Sequence, residues 1–324
     1  MLKTISFGEA LIDMLSSKTK QSPASEQETF TKYAGGAPAN VAAAIGRLGG
    51  DSYFAGKIGE DMFGEFIRDS FTEFSVKDDY ILTTDEAKTA LAFVSLDEDG
   101  ERTFSFYRDP SADMLFTGAE FQDSWFENPG YFHFCSNTLT ANSIYGATLS
   151  GIGKAKNAGF CISFDVNLRK NLWPANRDAL GPIWQCIKYA HIVKLCAEEM
   201  EFLCNGNSVE DTLKNIFTGA TQLVLLTDGG KPLKYFNATD TGYTESSITP
   251  PVIKTVDSTA AGDAFMGGFL YQLTEQDITQ SQLTSFCETD QLAQALSFAS
   301  HCGAFAASHK GALTSLPHIE DIKL

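Results

Sequence analysis

Basic residues are scarce in this chain: 24 Lys and Arg stand against 41 Asp and Glu, a formal net charge of −17 over 324 residues. Such a field repels phosphate backbones and anionic membrane surfaces, which excludes nucleic acid and membranes as partners. Any site for an anion must then be built from specific basic or backbone donors. Prolines number only 10 beside 27 glycines and no low-complexity tract interrupts the chain, so disorder is excluded. No run is long enough to span a bilayer. Glu9 and Asp13 break the apolar N-terminal stretch where a secretory leader needs continuity, so the expectation is a protein that is neither exported nor membrane-embedded. Seven cysteines form no Cys-x-x-Cys pair and mostly have apolar neighbours, as in Phe160-Cys161-Ile162, the pattern of buried free thiols in a reducing cytoplasm. Five histidines show no zinc-ligand spacing.

What is present is a chain that is 43% hydrophobic and long enough to bury a large core. Apolar runs rich in β-branched and aromatic residues recur at Ile5 to Phe7, Tyr131 to Cys135, Phe160 to Asp165, His191 to Leu195 and Leu223 to Thr227. They read as buried strands. Helix-like segments at Asn142 to Ala158, Arg177 to Tyr189 and Ser208 to Thr218 lie between them. The alternation predicts a three-layer α/β/α sandwich with a mostly parallel central sheet. Two segments, about 13–33 and 88–108, break this rhythm. Asp97-Glu-Asp-Gly100 between alternating strands predicts a hairpin in the second. One domain spanning 1–324 is expected, with a small sheet inserted from two places. That sheet suits a flap over a cleft, and its edge suits homodimerisation; the two uses are compatible.

The most informative stretch is Val256-Asp257-Ser258-Thr259-Ala260-Ala261-Gly262-Asp263. Phe265, Phe269 and Leu273, with Met266 and Leu270, predict an amphipathic helix beginning near Ala261. Small residues at 260–262 leave the first-turn amides open to an anion. Asp263, in that turn, can accept the proton of an attacking alcohol, or can simply complement the helix dipole. Two other phosphate loops fail. The glycines of Gly50-Asp-Ser-Tyr-Phe-Ala-Gly56-Lys57-Ile58 are wrongly spaced for a P-loop and Ile58 lacks the hydroxyl, while no Gly-x-Gly-x-x-Gly follows the first strand.

Elsewhere, Gly35-Gly36-Ala-Pro-Ala-Asn40 predicts a glycine turn opening a helix from Ala37 or Pro38 to Leu48, with flat backbone for a polyol and Asn40 for a hydroxyl. Asp13 is read as an acid at the end of an apolar strand, and Phe104 and Arg108 as an aromatic wall and a cation on the flap. Asp165, Asn167 and Arg169 alternate beyond a strand end, where the fork of Arg169 suits phosphate or a surface salt bridge to Asp165.

Together, Asp-Ser-Thr-Ala-Ala-Gly-Asp, Gly-Gly-Ala-Pro-Ala-Asn, Gly-Glu-Ala-Leu-Ile-Asp13 and Arg-Thr-Phe-Ser-Phe-Tyr-Arg108 resemble the motifs of the ribokinase-like (PfkB) carbohydrate kinases, and within them the fructokinase branch, over nearly the whole chain. The resemblance implies ATP-dependent phosphorylation of a sugar, most closely fructose at its 6-hydroxyl, and the free-thiol pattern implies a cytoplasmic protein. Related pockets take 2-keto-3-deoxygluconate, ribose or a nucleoside; a sugar-binding regulator without chemistry is the reading from another class. The resemblance makes Asp263 the catalytic base and the amides at 260–262 the anion hole. It places Asp13, Gly35, Gly36, Asn40, Phe104, Arg108, Asp165 and Asn167 at the sugar, and Arg169 at the phosphoryl group. Lys194, Glu199, Thr227, Gly229, Ser300 and Gly311 fall at the nucleotide. Glu199 would order Mg2+ through water, and Asp257 and Thr259 match positions that hold a monovalent cation such as K+. The chain departs from the pattern at Ser258 for Thr, Cys196 for the Asn of Asn-x-x-Glu, Pro232 for Gly and Ser300 for Asn, which puts nucleotide contacts from 196 and 300 in doubt.

Overall fold

The apolar runs become strands with their side chains buried on both sides, as a covered parallel sheet requires. In the computed structural model, which describes residues 1–19, 27–96 and 102–323, the strands in chain order are β1 (Lys3–Phe7), β2 (Leu11–Thr19), β3 (Phe30–Gly35), β4 (Asp51–Gly59), β5 (Ile81–Thr84), β6 (Ala90–Leu96), β7 (Arg102–Tyr107), β8 (Gly130–Cys135), β9 (Cys161–Asp165), β10 (Ile192–Cys196), β11 (Leu223–Thr227), β12 (Leu233–Thr239) and β13 (Gly242–Ile248). Nine of them form one sheet in the order β13-β12-β11-β10-β9-β8-β1-β4-β5, parallel from β11 to β5. β12 and β13 run antiparallel to their neighbours at one edge. The rejected P-loop segment is β4, a buried strand beside β1.

Helices cover both faces: α1 (Ala37–Arg47), α2 (Met62–Glu73), α3 (Asn142–Asn157), α4 (Leu180–Ile187), α5 (Ala197–Cys204), α6 (Val209–Ile216), α7 (Ala261–Glu275), α8 (Leu283–Cys287) and α9 (Asp290–Ala307). Ile144, Ile183, Met200 and Leu213 pack on one face with Phe132, Phe134 and Phe164 of the sheet. Val41, Ile45, Phe265, Phe269 and Leu296 pack on the other. The helix α4 is shorter than the segment expected for it. The α7 helix is not amphipathic: Ala264 to Tyr271 are all buried, because the helix lies between α1 and α9. Two glycines permit this. A Cβ at Gly267 would strike Ala44 of α1, and one at Gly268 would sit 2.8 Å from Cys302 Sγ of α9.

β3-β2-β6-β7 form a separate four-stranded sheet, built from the two segments that broke the strand-helix rhythm. Its β6 and β7 pair antiparallel as the hairpin reading requires, although the Asp97-to-Gly100 tip lies outside the described residues. Asp61 fastens the chain where it enters β6. Its Oδ1 accepts from the N–H groups of Phe63 and Gly64 at the start of α2 and from Thr89 Oγ1, and its Oδ2 accepts from Thr89 N–H at 2.9 Å. No helix among the described residues is long and apolar enough to cross a membrane.

The order of the large sheet reverses between β1 and β8, so the chain diverges on either side of that junction. In open parallel sheets such a junction is where a site forms at the carboxyl ends of the strands. Residues following β1, β8, β9, β10 and β11 therefore meet at one edge, facing the amino end of α7.

Candidate active site

The segment before α7 turns through Ala260 at φ +58°, a left-handed conformation that costs an alanine about 1 kcal/mol or more. Ala261 N–H donates to Ser258 O at 3.3 Å, so this amide belongs to the turn rather than to an open anion hole. No side chain caps α7, and among the described residues the Gly262 and Asp263 amides meet no protein acceptor. These two therefore leave the amino end of the helix open to an anion.

Asp263 points inward. Its Oδ2 accepts from Asn40 Nδ2 at 2.8 Å, a bond between residues 223 positions apart. Burial raises the Asp263 pKa above the ordinary carboxylate range, opposed by the Asn40 hydrogen bond and by the charges of Lys194 and Arg169. A carboxylate held in this way is a stronger base than an exposed one. Asn40 is itself buried on the first turns of α1, and its Oδ1 has no protein partner.

At the same edge, Lys194 of β10 forms a buried ion pair with Asp165, which ends β9, at 2.9 Å. Burial pushes Asp165 up, to about 7, while Lys194 pulls it down; burial alone would lower the Lys194 pKa, but Asp165, Glu199 and Asp263 together prevail and hold it above its usual value. The two shifts compete for one proton. We assign it to the lysine, because three carboxylates stabilise the ammonium. Arg169 therefore does not pair with Asp165; it is exposed and close enough for its charge to lower the Asp263 pKa. Asn167 follows at φ +34°, a conformation asparagine tolerates, and its carbonyl accepts from Ser136 Oγ.

The sugar-side residues are arranged differently from the sequence reading. Asp13 is not at the end of β1 but inside β2, opposite Tyr33, so it belongs to the small sheet. A Cβ at Gly35 would collide with the Asp13 carboxylate. Gly36 has φ +104°, and a Cβ there would stand 2.5 Å from Glu9 O. Both glycines are thus demanded by close approach. Phe104 lies on β7 opposite Val94. The Arg108 guanidinium is turned into the protein: Nη2 and Nε hold Asp113 Oδ2 at 2.6 and 2.8 Å, and Nη1 and Nη2 donate to Asn137 O at 3.1 Å. A guanidinium is costly to bury unpaired, and it is drawn inward by Asp113, five residues along the chain, and by the distant carbonyl of Asn137. Glu9, also buried, accepts from Asn137 Nδ2 at 2.9 Å.

A cavity of about 340 Å³ opens beside the amino end of α7. Thr227, Gly229 and Ser300 line it, with Gly262, Val252 and Ile253. Ser300 Oγ is engaged by Leu296 O within its own helix. Val252 is 99% exposed, an apolar side chain at a cavity mouth. The sequence reading missed Val252 and Ile253, although Pro250-Pro251 ahead of two exposed β-branched residues is a signal of sorts. Lys194, Glu199 and Gly311 are not among the lining residues. Gly311 N–H donates to Asp257 Oδ2, while Asp257 Oδ1 accepts from Thr259 N–H, which staples the α7 loop to the C-terminal loop. Glu199 accepts from Leu168 N–H at 2.7 Å and Cys196 N–H at 2.8 Å, clasping the ends of β9 and β10. Among the described residues no cluster of three or more His, Cys, Asp or Glu side chains could hold a metal ion by itself. Asp165 Oδ1, buried without a partner, is an acceptor suited to the water of an ion carried in by a ligand.

A base beside an anion-binding helix end and a neighbouring cavity is an arrangement for phosphoryl transfer to an alcohol. Comparison with known proteins points the same way. The profile of the pfkB family of carbohydrate kinases matches residues 1–319. Fructokinase-1 of Oryza sativa subsp. japonica is 40% identical over 99% of this chain and 96% of its own, and fructokinase-1 of Zea mays is 39% identical over 97% and 94%. Among solved structures, fructokinase from Xylella fastidiosa with bound ATP is 41% identical with a TM-score of 0.91, covering 98% of this chain and 96% of that one. A fructokinase variant from Vibrio cholerae O395 in a fructose-, ADP- and potassium-bound form is 33% identical over 98% and 96%, with a TM-score of 0.84.

Proposed function

From the premise that this chain belongs to the pfkB family of carbohydrate kinases, and so is a sugar phosphotransferase, we propose that it transfers the γ-phosphoryl group of ATP to the 6-hydroxyl of fructose. The observation that carries this reading is the Asp263 carboxylate, drawn inward by Asn40 beside the uncapped Gly262 amide. Fructose lies against the small sheet, with Asp13 and Asn40 taking its hydroxyls. Nucleotide occupies the cavity lined by Thr227, Gly229 and Ser300, with its base against Val252 and Ile253.

Asp263 accepts the hydroxyl proton as the sugar oxygen attacks, the bond from the γ-phosphorus to its bridging oxygen breaks, and ADP leaves. The Gly262 and Asp263 amides and Arg169 hold the charge spread over the phosphoryl oxygens. The small sheet closing over the sugar keeps out water that would otherwise take the phosphoryl group. Magnesium entering with the nucleotide supplies neutralisation of phosphate charge, with Glu199 and Asp165 the carboxylates placed to accept from its waters. The relatives bind ATP, or fructose, ADP and potassium. In this chain the Asp257 and Thr259 loop is the segment a monovalent cation would stiffen.

The test is a coupled ADP-release assay with ATP and magnesium across fructose, 2-keto-3-deoxygluconate, ribose and nucleosides, with and without potassium. Fructose should give the highest kcat/KM; another acceptor ranking first would replace it. Asp263→Asn should nearly abolish turnover while sugar binding by calorimetry stays largely intact. Binding of fructose without turnover by any nucleotide would make the protein a sugar-binding regulator instead.

A further inference from the structure

We propose that Lys194 is a catalytic residue of this site, its ammonium held in place by Asp165 so that it donates to the γ-phosphoryl oxygens next to the Gly262 amide. The proposal rests on the kinase reading above and assigns the cation of its transition state.

Lys194 lies deep in the molecule, with its side chain 8% exposed and that of Asp165 2% exposed. The Nζ atom is 3.0 Å from the place a Cβ at Gly262 would take, so it stands beside the uncapped first turn of α7. A second buried lysine shows what a structural one looks like here. Lys57 Nζ is shared between Glu120 and Leu115 O, so two acceptors satisfy it. Lys194 has one protein acceptor, Asp165 Oδ2, and the remaining donors of its ammonium point to no protein oxygen among the described residues. Asp165 Oδ1 is likewise buried and unpartnered. A buried ion pair left incomplete on both sides is poor value as scaffolding, since apolar residues of similar size serve as well or better. A phosphoryl oxygen accepting from Lys194 completes the lysine side, and a water of the ion that arrives with the nucleotide would complete Asp165 Oδ1.

Lys194 and Arg169 also differ in kind. Arg169 is exposed, whereas Lys194 is held by Asp165 before anything binds, which is the preorganisation that electrostatic catalysis requires. In the step itself Lys194 only donates hydrogen bonds and keeps its protons. The sugar proton goes to Asp263, and the electron pair of the breaking bond leaves on ADP.

The decisive variant is Lys194→Met with Asp165→Asn, which removes both charges together and strands neither. Calorimetry without sugar would compare a β,γ-imido analogue of ATP with ADP. The variant should lose about 10- to 100-fold in analogue affinity relative to ADP, the worth of a hydrogen bond to a charged group. Its kcat should fall about 10²- to 10³-fold, as for loss of one oxyanion donor. An analogue-to-ADP ratio equal to that of the unaltered protein overturns the proposal, as does failure of the unaltered protein to bind either nucleotide. If the double variant does not fold, Lys194→Gln, which keeps a donor for Asp165, reads the same ratio. Inertness of the unaltered protein toward every sugar sinks the substrate assignment above while this ratio still decides Lys194.

Discussion

Replacing Asn40 by alanine should move the acid limb of activity to higher pH, and the structure sets how far. Asn40 Nδ2 donates to Asp263 Oδ2 at 2.8 Å. A hydrogen bond to a charged group is worth about 1.5–3 kcal/mol, and one pKa unit corresponds to about 1.4 kcal/mol. Losing the bond should therefore raise the Asp263 pKa by about one to two units. The sign follows from the role of the group. Asp263 works as the anion, so activity is lost as pH falls through its pKa, which burial already holds above the ordinary carboxylate range. Removing a donor that favours the anion lifts that threshold further, while Lys194 and Arg169 remain to restrain it. The measurement is kcat/KM for fructose against pH by ADP release, because its acid limb reports the free enzyme. The deficit of the variant should narrow as pH rises and the anion is restored; whatever persists reports lost sugar contact. An acid limb that stays in place or shifts downward, in a variant that still turns over, would refute the assignment of Asn40 as the group that tunes Asp263.

Two further substitutions probe how the site is held. Gly36→Ala should lower unfolding free energy by at least about 2 kcal/mol, combining a left-handed alanine with a Cβ 2.5 Å from Glu9 O, and should raise KM for fructose. Equal urea midpoints would contradict it. Asp61→Ala removes the cap of α2 and the anchor of Thr89 and should cost about 1–2 kcal/mol at neutral pH. Burial tends to raise the Asp61 pKa, but hydrogen bonds from Thr89, Gly64 and Phe63 prevail and depress it. The stabilisation is therefore present above the unfolded value and lost as pH falls through the folded one. The stability gap between the unaltered protein and the variant should close in acid below about pH 4, and a gap that persists there would contradict the linkage.

Much of the fold was legible because the signals are local. Leu223 to Thr227 and Asn142 onward carry the periods of strand and helix in their own side chains, and the Gly-Gly-Ala-Pro turn marks the start of α1 to within a residue. The burial of α7 on nearly every side was less so. Its apolar residues occur at helical spacing, but only the packing of α1 and α9 against Gly267 and Gly268 shows that no face is left for water. Asp13 was misplaced because the chain leaves β1 at Phe7 and starts a new strand at Leu11, and only three residues, Gly8-Glu9-Ala10, mark the break between two apolar runs.

By itself the sequence determined the sheet-and-helix alternation, the glycine turn that opens α1 and the acid in the first turn of α7, since period, backbone conformation and helix position are properties of a short stretch of chain. Tertiary structure alone decided the partners. Asn40 meets Asp263 across 223 positions, Lys194 meets Asp165 between adjacent strand ends, and Arg108 turns inward to Asn137. A buried charge takes whichever acceptors the fold brings within reach, and that choice depends on how the strands are ordered in the sheet rather than on the residues beside it in the chain.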